Sequence, residues 1–459
     1  GNAFFVLETI RELLETGQSF DHLVDLPLPQ TVRDAVLRRA ARLTPLAQQL
    51  LAVAAVLPPH LRVETLAETS GRGELETVDT LDELLAHQLL LVDGDDFQFQ
   101  HDLARQAVYE DIAPWRRRLL HRRAAVAAVK LSAAKDAGLL ATIAHHFEMA
   151  GDTPQAIDYY RQAATSAQQL YANQETVSYL QKALELSEKL PEAAAIRPEL
   201  QEALADNLTI TGHFALAEAA YHTALSQVPI SERLWRAELQ RKLAETLPPQ
   251  QRSDEAVTLY QSALTILAEH TGSDYKKVRL STLLGLMAAL YYQLRAAAMV
   301  ELKEETQALL DEIGTAAQQA QFYSQLSHMA LLNERYQLSA ETVALARGAL
   351  TYARQTGNVW QIAHHHFEFG FALLWHGDLV GAEAVLKESL QMAGEMGDQW
   401  SQTQCLVYLT TVCRMRGDAK QMSLYLPRLA TVGQTVGSPF YMAAFQANTA
   451  WLHYHNGQF

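Results

Sequence analysis

The residues with the strongest claim to chemistry are histidines: a run at His364, His365 and His366, and an adjacent pair at His145 and His146. Clustered imidazoles suggest a metal ion. On a helix, however, neighbouring side chains point about 100° apart, whereas helical ligand pairs sit at i and i+4, as in H-E-x-x-H. Both groups have the wrong spacing, and no metal is expected. Cys405 and Cys413, eight positions apart, are the two cysteines. Eight residues of helix separate them by about 12 Å at ~1.5 Å per residue, farther than a disulfide reaches, so they read as reduced core thiols. No G-x-x-x-x-G-K-(S/T) occurs. The backbone cradle and lysine that hold phosphates are therefore missing, and the chain as it stands is expected not to hydrolyse ATP. With no nucleophile elbow or paired-carboxylate motif either, no catalytic residue is assigned.

The basic run Arg116, Arg117, Arg118, Arg122 and Arg123 is the one feature that suggests nucleic acid. Charge argues against it. Lys plus Arg number 37 against 52 Asp plus Glu, a formal charge of −15, and acidic side chains outnumber basic ones over residues 1–130 as well. A net negative field repels a phosphate backbone. The run is expected to be a solvated helix face or a contact with another module, with no direct nucleic-acid partner. No stretch of ~18 apolar residues and no charged, apolar leader is present, so no membrane partner and a cytoplasmic location are expected.

Most of the chain must position residues on helices. Gly377, Gly417 and Gly457 fall 40 residues apart, as do Gly357, Gly397 and Gly437, and each of the latter precedes an aromatic by three residues: Trp360, Trp400 and Phe440. Such a period marks helical-hairpin repeats that bury their apolar faces only by stacking. The segment GDTPQAIDYYRQA (151–163) fits the second half of a tetratricopeptide unit. Gly151 takes the turn, Thr153 the cap, Pro154 the first helical turn, and Ala156, Tyr160 and Ala163 the helix crossing. Gly212, Ala217, Tyr221 and Ala224 repeat the pattern; 253–264 and 377–390 carry weaker copies, and the Gly417 copy has Met422 at the small position.

Projecting this register onto the 40-residue units gives the first-helix residues that face a concave groove. They are His364, Phe367, Phe371 and Trp375; then Gln404, Val407, Thr411 and Arg414; then Ala447, Trp451, Tyr454 and His455. Aromatic surface with polar tips suits a protein or small-molecule effector. The competing reading is ordinary interhelix packing, and a slip of one residue rotates the set by about 100°.

The N-terminal part is patterned differently. Residues 4–16 have helical spacing, Gln30 to Arg42 form a further helix, and Thr44 with Pro45 caps and opens an apolar helix, LAQQLLAVAAVL, expected to be buried. Helical patterns near 63–69 and 77–87 precede LLLV (89–92), the turn Asp93-Gly94-Asp95, and FQF (97–99), which form a β-hairpin. The order suggests a winged helix.

The runs PQTVRDAVLRRAARLTPLAQQLLAVAAVL and FQFQHDLARQAVYEDIAPWRRRLLHRRAA closely resemble the winged-helix region of bacterial STAND-class signal-transduction NTPases, and GNAFFVLE is similar to the segment that closes their NTPase module, with Ala3 where proline is common. The resemblance implies a chain that is a fragment of something longer, a parent that binds ATP or ADP, and a tetratricopeptide-like sensor that responds to an effector. It places His101 where a winged-helix histidine reaches the nucleotide's phosphates, a role in the full-length parent alone. The expected fold is all-α with one small β-hairpin wing: residues 1–27 ending a missing NTPase module, a winged-helix domain over 28–130, and an α-α superhelix of tetratricopeptide-like repeats over 131–459. The expected function is the regulatory and sensor region of such a regulator, controlling transcription; the alternative is a repeat scaffold without nucleotide control.

Overall fold

Thr44 accepts a hydrogen bond from the Ala47 amide at 3.3 Å, with Pro45 in the first turn where a missing N–H costs nothing, so the helix starts where the sequence says. The computed structural model describes residues 32–131, 136–268, 270–436 and 438–457. The helix over 4–16, the GNAFFVLE segment with Ala3, and Gly437 lie outside the described residues. By compactness the chain divides into two units, residues 1–212 and 213–459.

The first unit begins with α1 (Val32–Ala41), α2 (Pro45–Val56), α3 (Val63–Ser70) and α4 (Glu74–Ala86), followed by β1 (Leu90–Asp93) and β2 (Asp96–Phe99). The strands pair antiparallel with Asp93 opposite Asp96, leaving Gly94 and Asp95 as the loop. Gly94 sits at φ +64°, a conformation open to glycine without penalty. A single bridge between Leu61 and Phe97 adds a third edge to the hairpin, which the sequence did not announce. The apolar run of α2 is buried as expected; Leu50, Leu51 and Val53 form the core with Leu66, Leu84, Leu90 and Val108. Next come α5 (Asp102–Asp111) and α6 (Pro114–Leu131), and α6 packs on both α3 and the first repeat helix, α7 (Ala137–Ala150).

The remaining helices of this unit are α8 (Thr153–Gln169), α9 (Asn173–Glu188) and α10 (Arg197–Ile210). One local expectation is corrected here. Asp152, not Thr153, is the N-cap of α8, and no side chain closes that cap; Thr153 is already helical, which leaves Pro154 at the second position. The predicted crossing residues behave as expected: Ala156 and Ala163 are fully buried and Tyr160 nearly so.

The second unit comprises α11 (Phe214–Gln227), α12 (Arg233–Glu245), α13 (Ser253–Leu267), α14 (Ser273–Tyr292), α15 (Ala296–Ile313) and α16 (Ala316–Glu334). It continues with α17 (Ala340–Thr356), α18 (Val359–His376), α19 (Leu379–Glu395), α20 (Gln399–Arg416), α21 (Ala419–Val436) and α22 (Pro439–His455). Ala217, Ala224, Ala256, Ala263, Ala382 and Met422 are all fully buried at their crossings. At Gly285 a Cβ would come 2.7 Å from the Tyr260 ring, so α14 approaches α13 only because that side chain is missing. Turn glycines such as Gly377 (φ +97°) and Gly417 (φ +72°) end helices in the left-handed region.

Besides its sequence neighbour, each alternate helix touches the next alternate one: α14 packs on α16, α16 on α18, α18 on α20 and α20 on α22. The first helices of consecutive hairpins therefore stand side by side. Their shared face carries the site.

Candidate functional site

That face encloses a cavity of about 540 Å³, within the range of small-ligand sites. Tyr291 and Tyr292 come from the end of α14; Gln321, Ser324, Gln325 and His328 from α16; Trp360, Gln361, His364, His365, Phe367, Glu368 and Phe371 from α18; Gln404 and Tyr408 from α20; and Tyr441 from α22. The 40-residue period places these positions. Gln321, Gln361 and Tyr441 are related by one or two steps of it, as are Ser324, His364 and Gln404, and His328, Glu368 and Tyr408.

The walls are aromatic. Phe371 meets Tyr408 edge-on at 4.9 Å between centroids, Phe367 meets Tyr408 at 5.6 Å, and Tyr291 stacks on His328 at 4.4 Å. Burial pushes the Tyr291 hydroxyl up to about 12 and raises that of Tyr408, so both stay protonated donors at neutral pH.

At the base of the cavity lies the Glu368 carboxylate, whose side chain is 11% exposed. Ser324 Oγ donates to Oε1 at 2.9 Å, and His328 Nε2 lies 3.1 Å from the same oxygen. His364 Nε2 lies 3.4 Å from Oε1, and His365 Nδ1 2.8 Å from Oε2. Burial alone would raise the Glu368 carboxyl, but the His364 and His328 imidazoles hold it well below the usual carboxylate range. Burial would lower His364, and the same carboxylate outweighs it and raises that imidazole. Trp360 stacks on His364 with the rings 1° from parallel.

Three polar atoms along this lining are buried and have no hydrogen-bond partner among the described residues: Gln325 Oε1, Gln361 Oε1 and His328 Nδ1. A native structure leaves few buried polar atoms unpaired. The two amide oxygens accept hydrogen bonds, and His328 Nδ1 is the ring nitrogen left over once Nε2 has turned toward Glu368.

Of the residues the sequence singled out, His364, Phe367, Phe371 and Gln404 line the cavity. Trp375 packs behind Phe371 and beside Tyr336 at 5.2 Å. Thr411 is buried and bonds the Val407 carbonyl of its own helix, and Arg414 is exposed. Trp451 stacks on His455, and Tyr454 is exposed near the end of α22. In the first unit, His101 stands at the N-cap of α5, exposed and without a side-chain cap bond.

The expectation of no metal rests on the adjacency of the histidines, and that adjacency does separate one of the three from the others. His366 does turn to the opposite face, toward Arg354 and Glu388. His364 and His365, however, reach one carboxylate, because Glu368 lies four and three positions on. The spacing was present in the sequence. His328 was hidden, because its repeat lacks a turn glycine: position 337 is Gln, and the left-handed turn is made by Arg335 and Tyr336 at φ +49° and +63°.

No protein-family model matches the chain, and no curated protein matches it. Among solved structures, the chain is similar to a Signal Transduction ATPase with Numerous Domains (STAND) protein with a tetratricopeptide repeat sensor from Pyrococcus horikoshii, at 11% identity and a TM-score of 0.56. The similarity covers 95% of this chain and 64% of that one, so the chain spans under two thirds of that protein's length. The apo form of the quorum sensor NprR from B. thuringiensis is similar at 14% identity and a TM-score of 0.51, over 78% of this chain and 99% of that one. At these identities the likeness is one of fold: an all-α chain with one β-hairpin and tetratricopeptide-like helical repeats, the architecture of a STAND protein's repeat sensor.

Proposed function

We propose that the second unit holds an effector in the cavity between α14, α16, α18, α20 and α22, and that the chain is the sensor region of a signal-transduction NTPase that regulates transcription. The observation that carries the reading is the set of unpaired buried polar atoms, Gln325 Oε1, Gln361 Oε1 and His328 Nδ1, on an aromatic-walled cavity. A ligand that satisfies the two amide oxygens offers N–H or O–H donors and a flat or apolar body for Phe371 and Tyr408. A short peptide or a small aromatic amine or amide has both. On this reading residues 28–130 form a winged helix that passes the effector's signal to a nucleotide-binding module in a longer protein, with ATP or ADP bound there and His101 near its phosphates. The effector shifts that switch only by its differential affinity for the two states.

A thermal-shift screen of short peptides and aromatic amines against the chain tests the binding step. Ligands that stabilise it are expected to lose about tenfold in affinity on Gln361→Leu and on Phe371→Ala, the equivalent of ~1.4 kcal/mol for each lost anchor. Equal binding to the native chain and both variants would remove the cavity as the site. For the longer protein, equal effector affinity in its ADP and ATP forms would remove the switch.

A further inference from the structure

His364, His365 and Glu368 each offer a ligand atom, and these atoms lie within 4.8 Å of one another. Two imidazole nitrogens and one carboxylate oxygen form the donor set of zinc sites that keep a coordination position open. The spacing from each imidazole to the nearer carboxylate oxygen is close to what the ion needs. Ligands about 2.0–2.1 Å from a tetrahedral zinc stand roughly 3.3 Å apart, and the distances to the Glu368 oxygens are 3.4 Å from His364 Nε2 and 2.8 Å from His365 Nδ1. A small rotation of the carboxylate opens the shorter one.

Three further contacts hold the ligands in place. Ser324 Oγ and His328 Nε2 engage Glu368 Oε1, and the Trp360 ring lies flat against His364. Outer groups that orient a carboxylate or an imidazole are typical of metal sites. All three candidate ligands line the cavity, so a ligand's own donor atom can reach a fourth position. In the first unit the buried pair His121 and His146 faces Tyr109 and His145 with no carboxylate among these contacts, and His366 meets Arg354 and Glu388 with no second imidazole among these contacts. A carboxylate shared by two neighbouring imidazoles distinguishes the one cluster.

We propose that His364, His365 and Glu368 bind one zinc-class divalent ion at the base of the cavity. The proposal stands whether or not the cavity also takes an effector.

The metal-free 459-residue chain, titrated with Zn²⁺ by calorimetry and with Co²⁺ by visible absorption, tests it. One ion per chain is expected, with a cobalt spectrum of low coordination number. Glu368→Gln and His364→Ala are each expected to weaken Zn²⁺ binding by at least about tenfold, and His121→Phe is expected to leave it unchanged. Thermal melts accompany each variant; His364 is partly exposed, so His364→Ala carries the test if Glu368→Gln fails to fold. No saturable Zn²⁺ binding, or binding equally strong in Glu368→Gln or in His364→Ala, would overturn the proposal.

Discussion

Two histidine clusters, one in each unit, use the same side chain toward opposite electrostatic ends. In the first unit His121 Nδ1 and His146 Nδ1 lie 2.9 Å apart, Tyr109 bonds the far nitrogen of His121 at 3.0 Å, and His145 packs edge-on against His121. Burial, followed by the neighbouring imidazole and Arg117 charges, pushes His121 down to about 4; burial and the other two imidazoles push His146 down to about 3. Both are neutral at pH 7, and the short Nδ1 to Nδ1 contact requires that at least one be, because one nitrogen must donate and the other accept. In the second unit a carboxylate sits among three imidazoles, and the charged forms of Glu368 and His364 are favoured. A single Glu368 decides between a neutral hydrogen-bonded pair and an ion cluster.

The largest effect should come from removing that residue. Glu368→Leu leaves the buried His365 and the partly exposed His328 and His364 beside an apolar side chain and is expected to cost about 3 kcal/mol, whereas Glu368→Gln keeps an acceptor and should cost clearly less; denaturant melts of both separate charge from hydrogen bonding. Acid comes next and should act on the other cluster. Free imidazoles titrate near 6.5, and His121 and His146 titrate at about 4 and 3 in the folded chain. Protonation therefore favours unfolding. The stability they contribute is complete above pH 6.5 and is lost as pH falls through 6.5 toward 3. Each tenfold difference in proton affinity between the folded and unfolded chain is worth ~1.4 kcal/mol, and the two groups act in the same direction. Melting temperatures recorded from pH 7.5 to 4.5 read this loss.

A smaller effect sharpens the contrast. The double change His121→Phe with His146→Leu removes both members of a neutral bond and leaves the half-buried Tyr109 hydroxyl to water, so under about 2 kcal/mol is expected at pH 7. The same variant should flatten the acid response between pH 6.5 and 4.5. An acid response equal to that of the native chain would show that the clusters do not differ as described.

The sequence made the helical crossings legible because size alone specifies them: Ala156, Ala217 and Ala256 fit only where helices touch, and all three are buried. The Thr44 cap and the Gly94 turn were equally plain, each being local chemistry. The Leu61 to Phe97 bridge was not, because one residue pair leaves no alternating pattern. For the site, a fixed period found His364, Phe371 and Gln404, and would have found His328 had glycine marked its turn. It also nominated Thr411 and Arg414, because a register gives the direction of a side chain and not the point along the helix where a cavity ends; here the Phe371 and Tyr408 rings meet at that end.

The same glycine-free turn has a cost that can be measured. Arg335 and Tyr336 hold two successive side-chain-bearing residues in the left-handed region, which costs roughly 1–2 kcal/mol per residue relative to a right-handed backbone. Arg335→Gly should therefore stabilise the chain by about 1 kcal/mol in a chemical melt. Tyr336 allows no such repair, since its ring abuts Phe371 and Trp375. The chain keeps a locally awkward bend, and the place of the Tyr336 ring in the cavity wall is what the awkwardness preserves.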